Sequence, residues 1–423
     1  MQEFLIPAVW ATILLFFIYR FDFFKIQEIN PAWPYAAFLF KLLLGFANYY
    51  IWLNIIGHGD SLRYFHDSQI VYQSLFDNPT YFFELITRSS LENIPAHLIP
   101  YQKELFIEWH VNEYHMVRLL AILNVFTFGN VWANIVLIAF GSYAATMGLF
   151  KSFKRFLVID ADKKNRIFLF LFFLPSIVFW TGGLLKEAPV FMLLCVIIIQ
   201  LFTIESSPNR NKTPAKPLLI LVVCIYALFL IRDYLAILVS LNLLLLFFAR
   251  TIVKPQFLNK TFIINSITVI VLFFAVPIVF PQLNYFHYAQ SEQTYFLNGE
   301  PDPDYKFSAI GGNGIAVIKQ IPYALNNIFF RPNLMHSDSV FRLYQSVELI
   351  IVWLIIVFLA IKMLRQKHPF SATALFMIIV AIELLGIYGL MVTDADTLSR
   401  YRSIPLFFIL LFMWLHKPKH STV

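Results

Sequence analysis

The chain places its most reactive-looking residues at the ends of apolar runs. The segment Gly57-His58-Gly59-Asp60-Ser61-Leu62-Arg63-Tyr64-Phe65-His66-Asp67 follows one such run directly. Its two glycines release the chain from a helix and leave Asp60 at a membrane surface. A carboxylate there can take the proton from a hydroxyl that attacks a neighbouring carbon, so Asp60, with Asp67 second, is the candidate catalytic base. A structural role fits Asp60 as well. From Ser61 onward Tyr64, Asp67, Val71 and Leu75 recur at helical spacing, and an aspartate before such a run is a common N-cap. A divalent metal on His58, Asp60 and His66 is a further option, though the spacing is not that of a defined site, and no other cofactor is expected.

Cations stand at other junctions. Pro175-Ser176-Ile177-Val178-Phe179-Trp180-Thr181-Gly182-Gly183-Leu184-Leu185-Lys186-Glu187 joins two apolar runs with almost no loop, and Arg232-Asp233-Tyr234 joins another two. Ser399-Arg400-Tyr401-Arg402 precedes the last run, and Arg331 stands in Phe329-Phe330-Arg331-Pro332. Singly, each arginine or lysine reads as a snorkelling residue, and Lys186 with Glu187 as a self-paired turn. Together, Lys186, Glu187, Arg232, Arg331, Arg400 and Arg402 read as a substrate-binding set, with arginine suited to bidentate contact with phosphate. Lys41 and Glu383 lie inside apolar runs, where ionisable residues default to functional or paired roles. His110, Glu113 and His115 do not match the His-Glu-x-x-His metalloprotease spacing and read as part of a surface helix. Gly311-Gly312-Asn313-Gly314 lacks the Lys-Ser/Thr ending of a nucleotide loop and reads as a flexible turn.

These residues must be held by membrane helices. The 423 residues are 59% hydrophobic and only 13% charged, against about 25% charged in soluble domains. A water-soluble enzyme is excluded, because apolar surface beyond what one core can bury must face lipid. The 47 Phe and 20 Tyr suit a lipid-facing surface with aromatic ends and require no aromatic cofactor. Cys195 and Cys224 both lie within apolar runs, which excludes a disulfide framework or cysteine metal site. The net charge of +7 is spread between the apolar runs rather than gathered with stacking aromatics, so nucleic acid is not a partner.

Apolar windows occur near residues 4–19, 36–56, 131–150, 167–183, 188–204, 217–231, 235–249, 261–280, 346–361, 371–391 and 405–415. The expected fold is an all-α polytopic membrane protein of about 11 transmembrane helices, forming one integral-membrane domain over residues 1–423. Short connections carrying Lys151, Lys154, Arg166, Lys216, Arg250 and Lys254 fall on one side, which the positive-inside rule makes cytoplasmic together with the C-terminus. Two long connections, 57–130 and 281–345, then face away from the cytoplasm, with the stretch from Phe106 to Phe128 lying along the membrane surface.

The arrangement resembles the C-type superfamily of integral-membrane glycosyltransferases. The resemblance rests on an acidic first large outer loop with Asp60 and Asp67, on the Pro-x-x-x-Phe-Trp-x-x-Gly-x-x-Lys-Glu break from Pro175 to Glu187, and on the late Arg400-Tyr401-Arg402. Most of the chain also resembles a group of uncharacterised bacterial inner-membrane proteins that share Gly-Asp-x-x-x-Tyr-Phe-x-Asp, Phe-Phe-Arg-Pro and Ser-x-x-Arg-Tyr-Arg. The resemblance implies a bacterial inner-membrane enzyme that moves a sugar from a polyprenyl-phosphate donor to an extracytoplasmic glycan or lipid acceptor. Lys186, Arg232, Arg400 or Arg402 would hold the donor phosphate, with Asp60, or Asp67, as base. The rival readings are a transporter or flippase of a lipid-linked anion, in which Glu383 carries coupling protons, and an oligosaccharide polymerase.

Overall fold

The computed structural model describes residues 2–27, 29–88, 94–106, 111–154, 161–207, 214–280, 282, 286–298, 314–336, 339–364 and 370–414. Among these residues the chain is helical and contains no strand. The turn at Gly311 to Asn313 and several of the basic connections, including Arg210, Lys212, Arg365, Lys367, Lys417 and Lys419, lie outside the described residues.

Contacts gather the chain into two compact units, the first comprising Met1–Arg155, Ile159–Ser207 and Thr213–Ile237, and the second mainly Leu238–Val423. The first contains α1 (Gln2–Arg20), α2 (Ala32–Ile51), α3 (Asp60–Asp77), α4 (Pro79–Thr87), α5 (Ile99–Glu104) and α6 (Val111–Thr127). It continues with α7 (Val131–Lys154), α8 (Ala161–Phe173), α9 (Pro175–Gly182), α10 (Glu187–Glu205), α11 (Ala215–Ile231) and the start of α12 (Asp233–Ile252). The second holds the rest of α12, α13 (Leu258–Val279), α14 (Phe286–Asn298), α15 (Gly314–Phe330), α16 (Val340–Leu364), α17 (Ala372–Met391) and α18 (Ala395–Trp414).

Among the described residues eight stretches are long and apolar enough to cross a membrane: Glu3–Arg20, Ala32–Ile56, Val131–Phe153, Glu187–Glu205, Asp233–Ile252, Leu258–Val279, Val340–Ile361 and Ala372–Met391. This is a multi-pass membrane protein. A ninth crossing results if α8 and α9, bent by 47° at the Leu174–Pro175 step, form one broken span. Proline explains the break, since it lacks the N–H that would continue α8 and instead opens α9 at a first-turn position. The windows at 217–231 and 405–415 fall on α11, which is apolar but short, and on the second half of α18.

In the first unit, α2 and α9 cross almost backbone to backbone. A Cβ on Gly45 would come within 2.5 Å of the Gly182 carbonyl oxygen, so this pair must stay glycine for the contact to exist. Close by, Lys41 donates to the Thr181 hydroxyl at 2.8 Å, which gives this buried lysine a polar partner inside the bundle. Within the segment expected to lie along the membrane surface, α6 packs one face against other helices. In α6 Met116, Val117, Leu120 and Ala121 are essentially inaccessible and share a core with Tyr64 and Val71 of α3, Ile135 of α7 and Ala188 of α10. A fully buried polar chain fixes the register of three helices. Asn124 donates to the Ser68 hydroxyl (3.1 Å), Asn134 donates to the Asn124 Oδ1 (2.6 Å), and Thr127 donates to the Asn134 Oδ1 (2.7 Å). Satisfied polar groups of this kind select one packing, because any slip leaves several of them unpaired in a dry interior.

Candidate functional site

A charged cluster in the first unit gathers helix ends from four parts of the sequence. The main run of α2 finishes in a single π-helical stretch, Trp52–Ile56, closed by Gly57 in the left-handed conformation. Gly59 then takes φ +146°, and a Cβ there would sit 2.7 Å from the Trp52 ring, so the chain can fold back over the indole only as glycine. Gly59 is the N-cap of α3, and Asp60 is the first helical residue rather than the cap itself. Its carboxylate therefore stands at the positive end of the helix, one residue past the cap.

Opposite Asp60 is the turn between α9 and α10. The Lys186 Nζ lies 3.7 Å from Glu113 Oε1 in the first turn of α6 and 6.0 Å from the centre of the Tyr64 ring. Burial draws the Lys186 pKa below its ordinary value; Glu113, Asp60 and Glu187 oppose the shift, and Arg232 adds to it. The lysine thus responds to four charged neighbours, one of which is Asp60. Glu187 and Arg232 form a second, deeper pair, with side chains 1% and 5% exposed, which ties the start of α10 to the α11–α12 junction. Both charges of that pair are used in holding helices together. The self-contained Lys186–Glu187 turn is not what forms, because each residue pairs with a different distant element.

Sequence reasoning missed the part of the site on α6. Arg118 is 9% exposed, lies 4.7 Å from the Tyr114 ring, and places one guanidinium nitrogen 3.1 Å from His115 Nδ1. Its Nε and other terminal nitrogen are buried without a hydrogen-bond partner among the described residues. Burial, helped by Arg118 and Lys186, lowers the His115 pKa to about 4, so the ring is neutral near pH 7 and accepts from the arginine. A signal was present, since Arg118 interrupts the apolar stretch Met116-Val117-Arg118-Leu119-Leu120. The Asn48 carboxamide, the Ser61 hydroxyl and the Trp52 indole N–H are also buried without partners among the described residues. Hydrogen-bonding capacity is therefore left over around this helix-end cluster, where buried polar atoms are ordinarily satisfied.

Asp67 lies two turns further along α3 and is fully buried. Its Oδ1 accepts from the Phe106 backbone N–H at 3.0 Å and lies 3.1 Å from His66 Nδ1, so that oxygen anchors the chain ahead of α6. Among the described residues no group of three His, Cys, Asp or Glu side chains is placed to hold a metal ion. The chain was compared with family models, curated proteins and solved structures. It matches none of them.

The remaining expected cations belong to the second unit. Arg402 donates to the backbone carbonyls of Ile328 (3.1 Å) and Arg331 (2.6 Å) and to the Ser399 hydroxyl (3.3 Å). It closes the C-terminal end of α15, where carbonyls lack helical partners and a cation is favoured. Arg400 is 8% exposed and lies 5.0 Å from the Tyr401 ring. Arg331 contributes the carbonyl that Arg402 holds, and its side chain is partly exposed.

Proposed function

We propose that this protein is a membrane glycosyltransferase that moves a sugar from a polyprenyl-phosphate donor to an extracytoplasmic glycan or lipid acceptor. The observation that supports it is the placing of Asp60 in one electrostatic cluster with Lys186, beside an Arg118 whose buried guanidinium nitrogens have capacity left for an anion. Lys186 and Arg118 would hold the donor phosphate. The acceptor hydroxyl oxygen attacks the anomeric carbon, Asp60 takes the hydroxyl proton, and the bond from that carbon to the phosphate oxygen breaks. The polyprenyl phosphate then leaves with its added negative charge stabilised by the two cations. Asn48 and Ser61 supply hydrogen-bonding atoms of the kind a sugar's hydroxyl groups take up.

The topology that goes with this reading has eleven spans, an outer N-terminus, a cytoplasmic C-terminus and the cluster on the outer side of a bacterial inner membrane. A transporter of a lipid-linked anion is the second reading, favoured by Glu383 within α17. The test uses Asp60→Asn in the purified full chain, given polyprenyl-phosphate sugars and membrane acceptors, with release of polyprenyl phosphate as the readout. Turnover should fall by roughly 10² to 10⁴ with donor binding retained. Because Gly59 caps α3 and asparagine keeps the shape of the side chain, the helix-dipole part of the change should cost the fold about 0.3–1 kcal/mol. A variant as active as the parent removes Asp60 from the mechanism, and a parent that moves lipid without releasing polyprenyl phosphate favours the transporter.

A further inference from the structure

The second unit contains a polar pair in the middle of two apolar spans. Glu383 stands eleven residues after the start of α17 and eight before its end, and Asn242 stands nine residues after the start of α12. The Asn242 Nδ2 donates to Glu383 Oε2 at 2.6 Å and to the Leu238 carbonyl at 3.1 Å. The Asn242 Oδ1 is buried and receives no donor among the described residues. Asn242 is itself the one polar partner of Glu383 there. Elements packed on α17 carry Lys260, His287, Lys319, Asp396, Arg400 and Arg402, and none of them forms an ion pair with the glutamate.

The empty amide oxygen gives a proton on Glu383 a place to be donated. A carboxylate offers only acceptors, so it satisfies the amide N–H and leaves the amide oxygen empty. A neutral carboxyl offers one acceptor and one O–H donor, which match the two halves of a primary amide and can close a two-bond ring. An unpaired charge in hydrocarbon is costly besides, and among the described residues no cation pairs with Glu383 to offset it.

The surroundings of Glu383 also bear on access. The partly or fully exposed positions of α17 include Ile379, Ile382, Glu383, Gly386 and Leu390, a stripe at helical spacing that is apolar apart from the glutamate. Ile382 is 58% exposed, and a Cβ on Gly386, one turn from Glu383, would meet nothing within 4 Å. The stripe leaves open space beside the carboxyl.

We propose that Glu383 is a proton-binding and modification site within the membrane, kept as the neutral acid by its place in an apolar span without a paired cation, and reached from the lipid side over Gly386. Such a group reacts with an apolar carbodiimide. The carboxyl O–H adds across one C=N bond, its oxygen bonding to the central carbon and its proton going to nitrogen, and the O-acylisourea rearranges to a stable N-acylurea with no atom lost. This goes beyond sugar transfer and does not depend on it.

The purified full chain in detergent micelles, treated at neutral pH with dicyclohexylcarbodiimide, should acquire an adduct that peptide mass mapping places on Glu383. A water-soluble carbodiimide should leave Glu383 unmodified while it labels exposed carboxylates such as Glu104. Glu383→Gln should lose the adduct, and Gly386→Leu, which fills the open space, should reduce it severalfold with the glutamate still present. Absence of label on Glu383 in the parent protein, or equal labelling by both reagents, would overturn the proposal whatever the variants do. Undiminished labelling in a folded Gly386→Leu protein would overturn the lipid-side route.

Discussion

Lys186 Nζ lies 3.7 Å from Glu113 Oε1, so the turn between α9 and α10 is held against the first turn of α6. The contact brings a conspicuous lysine to a glutamate that sequence spacing had assigned to a surface helix. It also sets opposing expectations for the neighbouring Arg118 and for Glu113. Arg118→Gln, which removes a cation whose guanidinium has nitrogens to spare, should weaken binding of a lipid phosphate by about 1.5–3 kcal/mol. Glu113→Gln releases Lys186 from its competing carboxylate and should tighten the same binding. Titration with a fluorescent polyprenyl phosphate distinguishes the two, and a loss of affinity in the Glu113→Gln variant as well would mean that the Lys186–Glu113 contact acts only in folding.

His115 makes stability depend on acid. Its folded pKa is about 4 against an ordinary value of 6.5, so on acidification the unfolded chain takes up the proton first. The contribution of His115 to stability should be level above pH 6.5 and decline as the pH falls from there through 4. His115→Gln should flatten the part of that slope due to this residue, as read by thermal unfolding in detergent at a series of pH values.

The Glu187–Arg232 pair should behave as a structural joint. Arg232→Met leaves a buried carboxylate without its cation and should cost about 3–5 kcal/mol, whereas Glu187→Met with Arg232→Met together should cost far less. Denaturant unfolding of both single variants and the double variant measures the difference. A lone Arg232→Met protein that keeps full stability but loses donor binding would return this arginine to the substrate.

Orientation can be read with two new thiols, since native Cys195 and Cys224 are buried. Thr80 follows α3 and Thr251 lies near the end of α12, and both are exposed. In cells with a permeabilised outer membrane, an impermeant maleimide should label Thr80→Cys and spare Thr251→Cys. Equal labelling would overturn the proposed topology.

The membrane class of this protein and the location of its helices were legible in the chain because hydrophobicity is a local property. Within the described residues the apolar windows fall on helices, that at 167–183 on two, α8 and α9, and the break at Pro175 is written in the missing N–H of one residue. Asp60, Lys186 and Arg232 drew notice for the same local reason, as charges at the ends of apolar runs. Partnership is different, because it depends on which helices cross. Tertiary packing decided that Lys186 meets Glu113, that Arg232 meets Glu187, and that Arg402 holds the carbonyls at the end of α15. It also decided that α6 packs one face against other helices, since the buried chain through Ser68, Asn124, Asn134 and Thr127 has no period along the sequence. Helical spacing states which residues share a face, but the partner of that face is chosen by close packing and by the cost of leaving a buried polar atom unpaired.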